Sequence, residues 1–167
     1  MKQKGFSLIE LLVVIAIIAT IVAMAIPNFL GARQRAQDSK TKSEMRELKN
    51  ALRLYYNDFS KYPPSQAPGK LLGCGVDGAI LCPCTSGGTD FAITNSTACD
   101  TLYMKQIPAK LLGTETPTML YTRSASTDDF CLSVELNNKS DPDIAISQNR
   151  CRSACSVVTT KYYVCAD

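Results

Sequence analysis

The chain has 167 residues, a formal net charge of +3 and 46% hydrophobic residues. This composition is that of an ordinary globular protein, and so small a net charge gives no support to nucleic-acid binding as the main activity. Histidine is absent, which excludes a Ser-His-Asp triad, a Cys-His dyad and a His-ligated zinc site. The strongly apolar run is confined to residues 1–30, and the remainder of the chain is moderately polar.

The apolar run near the N-terminus is long enough to cross a membrane. Residues 6–30 would extend about 37 Å as a helix, whereas the hydrocarbon core of a bilayer is about 30 Å thick. Lys2 and Lys4 precede the run, and Glu10 lies inside it. Because a carboxylate in lipid is costly, Glu10 requires either a partner or a position from which it reaches the headgroups.

A secretory signal peptide is one interpretation of this segment, since Ala23-Met24-Ala25 matches an A-x-A cleavage site behind a basic start. Against it, the apolar run exceeds the usual length of about 7–15 residues. Pro27 also lies two residues past the cleavage site, where it should hinder cleavage. We therefore favour a segment that stays attached to the chain.

Two local strings refine that interpretation: residues 4–14 have the sequence KGFSLIELLVV, and residues 25–29 have the sequence AIPNF. Both strings resemble the leader and anchor of type IV pilins and of the pseudopilins of type II secretion. The resemblance implies that a prepilin peptidase cleaves between Gly5 and Phe6 and N-methylates the new amine of Phe6. The apolar helix then remains as the anchor and, after assembly, as the core of a filament.

The same resemblance assigns a role to Glu10. The cationic amine that cleavage creates at Phe6 would be neutralised by Glu10 of a neighbouring subunit, which would fix the axial offset between subunits. The implied domains are a leader at 1–5, a transmembrane and filament-core helix at 6–30, and a periplasmic or extracellular domain at 31–167 that includes the second half of the helix.

The resemblance also implies the surroundings of the chain. Before assembly the subunit would span the inner membrane once, with its N-terminus in the cytoplasm. After assembly it would belong to a surface pilus or a periplasmic pseudopilus. The implied partners are identical subunits in a helical filament, the prepilin peptidase, the assembly machinery of the inner membrane and membrane lipid.

The helix is predicted to continue beyond the membrane segment. Pro27 falls inside a helical pattern that resumes after it, so we predict a continuous helix with a kink at Pro27; the alternative is that the membrane helix ends there. Apolar residues then recur at steps of three and four, which predicts one buried face, and Pro63-Pro64 ends the pattern. The recurring residues are Met45, Leu48, Leu52, Tyr55 and Phe59.

The remainder predicts an α+β fold, in which the helix packs on a small antiparallel sheet beside a cysteine-rich loop region. A long connection spans residues 64–117, and we expect a short helix near Leu102–Gln106. Strands are predicted at 118–124, 130–136 and 157–165. Alternation of apolar and polar residues in the second of these indicates a half-buried strand.

Eight cysteines in the C-terminal part of the chain predict disulfide bonds and an exported location. A cysteine-ligated metal site is the alternative, although it would need four thiolates. Cys82 and Cys84 should have separate partners. Because pilins often close their C-terminal loop with a disulfide, the resemblance implies pairing within the last four. The cysteines are Cys74, Cys82, Cys84, Cys99, Cys131, Cys151, Cys155 and Cys165.

The predicted function is that of a structural subunit and not an enzyme, with no cofactor. We favour a type IV pilin, and a pseudopilin of type II secretion is the alternative. A minor pilin or a membrane-anchored binding module for adhesion or DNA uptake is a further alternative. Asp141 and Asp143 raise calcium as a candidate ligand in the last loop, but their spacing fits no calcium loop well, and a solvated turn is favoured.

Overall fold

The computed structural model describes residues 6–66, 69–76, 80–83, 88–94 and 101–166. It divides into two compact units, residues 1–37 and 38–167. The predicted cleavage residue Gly5 and two of the predicted disulfide cysteines, Cys84 and Cys99, lie outside the described residues.

Helix α1 spans Leu8–Phe59 without interruption. The prediction of a continuous helix through position 27 is confirmed, whereas the kink at Pro27 stays a prediction. Ser60 closes the helix with a left-handed φ of 50°, and its backbone N–H donates to the carbonyl of Tyr56 at 2.7 Å. The helix therefore ends before Pro63-Pro64. Ser60 ends it by adopting the left-handed conformation that is common just past a helix C-terminus.

The C-terminal sheet consists of three antiparallel strands in the order β6-β7-β8, at Leu120–Arg123, Phe130–Glu135 and Lys161–Cys165. These lie within the three predicted strands. The prediction that β7 is half buried is wrong, because Cys131 and Ser133 on its polar face are also buried. Helix α3, Pro142–Arg150, packs against β8, and the disulfide cysteines that follow it bury Cys131, which the sequence pattern did not indicate.

A second sheet occupies the region predicted as a long connection. It joins β1 (Ser65–Gln66), β2 (Lys70–Val76), β4 (Phe91–Thr94) and β5 (Thr101–Met104), with β3 (Ile80–Leu81) paired to β2. Strands β2 and β4 are parallel, so this sheet is mixed. The fold is therefore α+β with one mixed and one antiparallel sheet, and not with a single antiparallel sheet.

The helix expected near Leu102–Gln106 is absent. That segment begins as strand β5, and the short helix α2 follows at Ala109–Leu112. Backbone pairing of β5 with β4 takes precedence over local helix propensity there.

The hydrophobic core of the second unit lies between α1 and the two sheets. Met45, Leu48, Leu52 and Tyr55 of α1 are no more than 1% exposed, which confirms the predicted apolar face. They belong to one cluster with residues of both sheets, among them Phe91, Tyr121, Phe130, Leu132 and Val134. Gly73 of β2 allows a close approach, because a Cβ built there would lie 2.6 Å from Cβ of Pro63.

Candidate assembly site

The first unit presents an apolar helical surface that its own chain does not cover. Large apolar side chains throughout this segment are exposed, from Phe6 at 85% to Val22 at 45%. By length and composition the helix is able to cross a membrane, and none of its most apolar 18-residue stretch is buried. Such a surface is stable only against lipid or against other apolar helices.

Glu10 has a hydrogen-bond partner within its own chain. Its Oε2 accepts from the backbone N–H of Ser7 at 3.0 Å, and the carbonyl of Ser7 accepts the first helical bond, from the N–H of Leu11. Ser7 precedes the first helical residue, Leu8, so Glu10 occupies the third position of the helix. This is half of a capping box, in which a Glu side chain satisfies one of the unpaired N–H groups at a helix start.

The capping role of Glu10 was not anticipated from the sequence. The signal was present, because Ser7-Leu8-Ile9-Glu10 matches the S-x-x-E pattern of a capping box at the head of an apolar run. The carboxylate therefore has a local partner as well as the intersubunit role that the resemblance implies. Phe6 and Glu10 both remain exposed. An amine or a second chain can therefore reach them.

Thr20 is a polar residue in the apolar segment, and the helix itself satisfies it. Its hydroxyl donates to the carbonyl of Ile17 at 2.7 Å. A hydroxyl bonded in this way lowers the cost of placing it in lipid.

In the second unit, Lys42 of α1 binds two carboxylates at the start of α3, one at its N-cap and one in its first turn. Its Nζ donates to Oδ2 of Asp141 at 2.7 Å and to Oδ2 of Asp143 at 2.8 Å, and lies 5.6 Å from the centre of the Tyr162 ring. Asp141 also caps α3 by accepting from the N–H of Asp143. The two carboxylates considered for calcium are therefore engaged by an ammonium group.

The ionisation of this cluster follows from its geometry. Burial disfavours the charged form of Lys42, but hydrogen bonds and charge attraction from Asp141 and Asp143 outweigh it and raise the pKa of Lys42. Burial favours the neutral form of Asp141. The hydrogen bonds from Lys42 and from the N–H of Asp143, with the charge of Lys42, outweigh burial and lower the pKa of Asp141.

One turn earlier, Asp38 holds the chain that leads into α3. Its two carboxylate oxygens accept from the backbone N–H groups of Asn137 and Asn138 at 2.9 and 2.8 Å, and from the Asn137 side chain at 3.0 Å. Asp38 is only 2% exposed, so these bonds replace the water that its carboxylate would otherwise bind.

Six cysteines form three disulfides in the described part of the chain. Cys74 bonds to Cys82, Cys131 to Cys155, and Cys151 to Cys165. The last two confirm the implied pairing within the C-terminal set. Disulfides are therefore confirmed for these six residues, and the partner of Cys84 stays a prediction. The two C-terminal bonds form a buried cluster with Tyr163 beneath α3.

Comparison with known proteins finds similarity in the N-terminal part of the chain. Residues 1–26 match the family of the prokaryotic N-terminal methylation motif. The type II secretion system core protein G of Escherichia coli is 40% identical over 62 residues, 37% of this chain and 43% of that protein. That of Vibrio cholerae is 39% identical over 62 residues, 37% of this chain and 42% of that protein.

A pilus component is similarly related. The type IV wide pilus major component PilA4 of Thermus thermophilus is 44% identical over 66 residues, 40% of this chain and 50% of that protein. The chain thus spans half or less of the length of these curated relatives, and no solved structure matches it. The N-terminal part of the chain thus carries the prokaryotic methylation motif and is similar to type II secretion core protein G and to a type IV pilus component.

Proposed function

We propose that this protein is a type IV pilin, cleaved by prepilin peptidase after Gly5 and assembled into a filament through its N-terminal helix. The observation that carries the proposal is the exposed apolar surface of α1, which begins at Phe6 and includes the exposed carboxylate of Glu10. In the membrane this surface contacts lipid, and in the filament it contacts the same surface of neighbouring subunits.

Assembly changes the partner of Glu10. In the isolated subunit the carboxylate accepts from the N–H of Ser7. In a filament it pairs instead with the methylated amine of Phe6 from a neighbouring subunit. The exchange is favourable because a cation and an anion that are both costly in an apolar bundle neutralise each other. Only one axial offset between helices allows the pairing, so it sets the register of the filament.

A pseudopilin of type II secretion is the second candidate, and the relation to secretion core protein G favours it. The disulfides among the described residues of the second unit favour a pilus, since they suit a domain exposed outside the cell to shear. A membrane-anchored module that binds adhesion targets or DNA as a monomer is the remaining alternative.

The experiment that separates these functions compares a deletion strain with its parent and with the complemented deletion strain. Loss of surface filaments, seen by electron microscopy with antibodies to the second unit, supports the pilin. Accumulation of normally secreted proteins in the periplasm, with surface filaments unchanged, supports the pseudopilin. If the protein is extracted from the membrane only as a monomer and neither phenotype appears, the proposal of a filament subunit is wrong.

A further inference from the structure

The second half of α1 carries opposite charges on the two flanks of its buried face. Glu44 and Glu47 lie on one flank, and Arg46 and Lys49 lie on the other. With 3.6 residues per turn, Glu44 and Arg46 point about 160° apart around the helix. The buried face with Met45 and Leu48 separates the flanks on the inner side, so each flank borders a different part of the second unit.

Each flank forms one wall of a surface groove. The first, here called the acidic groove, lies between α1 and the chain from Met104 to Glu115. Its floor includes Met104, Ile107 and Pro108, and its carboxylates are Glu44, Glu47 and Glu115. Lys40 is the one basic residue among the described residues that line it, and it lies 3.6 Å from Glu44.

The second, here called the basic groove, lies between α1 and the elements α3 and β8. Arg46, Lys49 and Arg150 line it, together with Tyr162 and Tyr163. Within the described residues, Arg46 and Arg150 make no ion pair, and the same is true of Glu47 and Glu115 on the other side. Each groove therefore has two exposed charges of one sign that form no ion pair with the part of the chain the structure describes.

We propose that the acidic groove of one subunit docks against the basic groove of a second copy of this chain. This inference rests on the proposed filament function and names a contact that it requires outside the apolar helices. Two different patches on one chain that attract each other make a head-to-tail contact, which propagates as an open helix instead of closing as a dimer. Charge complementarity also repels the wrong pairing of two like grooves.

The test exchanges two neighbouring residues in the full-length chain, and each variant and the wild-type chain are expressed in the deletion strain. Arg46→Glu makes the basic groove less basic, and Glu47→Arg makes the acidic groove less acidic. Each single variant should reduce filament yield, measured as sheared and pelleted protein, by about tenfold, because it places like charges across the contact. The double variant keeps the composition and net charge and should yield more filament than either single variant.

Lys61→Glu is the matched control, since Lys61 is exposed and lines neither groove. It should leave the yield unchanged, and intact Cys131–Cys155 and Cys151–Cys165 bonds in every variant show that the domain has folded. We also expect the yield of wild-type filaments to rise when they are prepared at lower ionic strength. Salt weakens attraction between exposed charges, because at 0.15 M it screens them beyond about 8 Å.

Three outcomes would overturn the proposal. Wild-type yield from both single variants means that the grooves do not meet. Loss only with Arg46→Glu, without recovery in the double variant, means that the basic groove serves another anionic partner such as DNA. A wild-type chain that forms no filament at all removes the proposed function as well, whereas the first two results leave it intact.

Discussion

The carboxylate of Glu10 accepts a hydrogen bond from the backbone N–H of Ser7 at 3.0 Å. Glu10 thus caps its own helix. In the proposed filament its negative charge also pairs with the Phe6 amine of a neighbouring subunit. These two roles make different demands on the side chain. The cap needs only an acceptor oxygen, whereas pairing with an amine at Phe6 needs a negative charge.

Substitution at Glu10 separates the two roles. Glu10→Gln keeps an acceptor for the Ser7 N–H, and Glu10→Ala removes both acceptor and charge. We expect both variants to insert into the membrane, and both to reduce filament yield by at least about tenfold, since the amine of Phe6 is left buried without its counter-charge. Membrane fractionation and counting of filaments check this. Normal filaments from Glu10→Gln would show that the charge does not set the register.

Lys42 should stabilise the second unit through Asp141 and Asp143. Its side chain is 12% exposed, and Lys42→Met leaves two carboxylates without their cation. We expect the free energy of unfolding to fall by about 2 kcal/mol. Thermal unfolding of the detergent-solubilised chain, followed by near-ultraviolet circular dichroism, measures it. Lys40→Met is the control, because the side chain of Lys40 is 72% exposed and its pair with Glu44 contributes little.

Calcium binding is tested on the wild-type chain. We expect millimolar calcium to leave the melting temperature of the wild-type chain unchanged, because the ammonium of Lys42 already binds the oxygens of Asp141 and Asp143. A calcium-dependent rise in the melting temperature of the wild-type chain would show that a cation displaces Lys42 or binds elsewhere.

The contribution of this cluster should depend on pH at both ends of the range. The pKa of Asp141 lies below its ordinary 3.8, so its stabilisation is present above that pH and is lost as the pH falls through the lower folded value. The pKa of Lys42 lies above its ordinary 10.5, so its stabilisation is lost as the pH rises beyond it.

The melting-temperature difference between wild type and Lys42→Met should therefore be roughly constant between about pH 5 and 9 and shrink outside that range. A difference that changes steadily across neutral pH would contradict the assignment, because neither Asp141 nor Lys42 titrates there.

The two C-terminal disulfides predict a specific peptide map. Non-reducing digestion should yield Cys131 linked to Cys155 and Cys151 linked to Cys165. The informative alternative is a Cys131–Cys165 bond, since those residues are register partners on β7 and β8. Replacing Cys131 and Cys155 together by serine should lower the free energy of unfolding by about 3 kcal/mol. The bond joins residues 24 apart in sequence, so its loss frees a loop of that length in the unfolded chain.

The parts of the fold that local pattern determines were predictable. The apolar spacing from Met45 to Phe59 placed one face of α1 in the core, and each end of the three C-terminal strands lies no more than four residues from its predicted position. The cysteine count predicted disulfides. Their pairing depends on which cysteines the tertiary fold brings together, and the sequence alone does not determine that.

The remaining features depend on contacts distant in sequence. Strand β5 forms because β4 offers a partner, and a short apolar segment such as Leu102–Met104 has no pattern that distinguishes strand from helix. Ser133 is buried because its face of β7 is covered. The alternation of apolar and polar residues had predicted that this face would be exposed. The engagement of Lys42 with two aspartates about a hundred residues away has no local signal at all.

The most direct test of the account is the N-terminal sequence and intact mass of the protein extracted from membranes. We predict a chain that begins at an N-methylated Phe6, with residues 1–5 removed. The mass should also show at least three disulfides, by a deficit of about 2 Da for each bond. A chain that begins at Ile26, or one that retains Met1, would contradict prepilin processing and with it the proposed filament core.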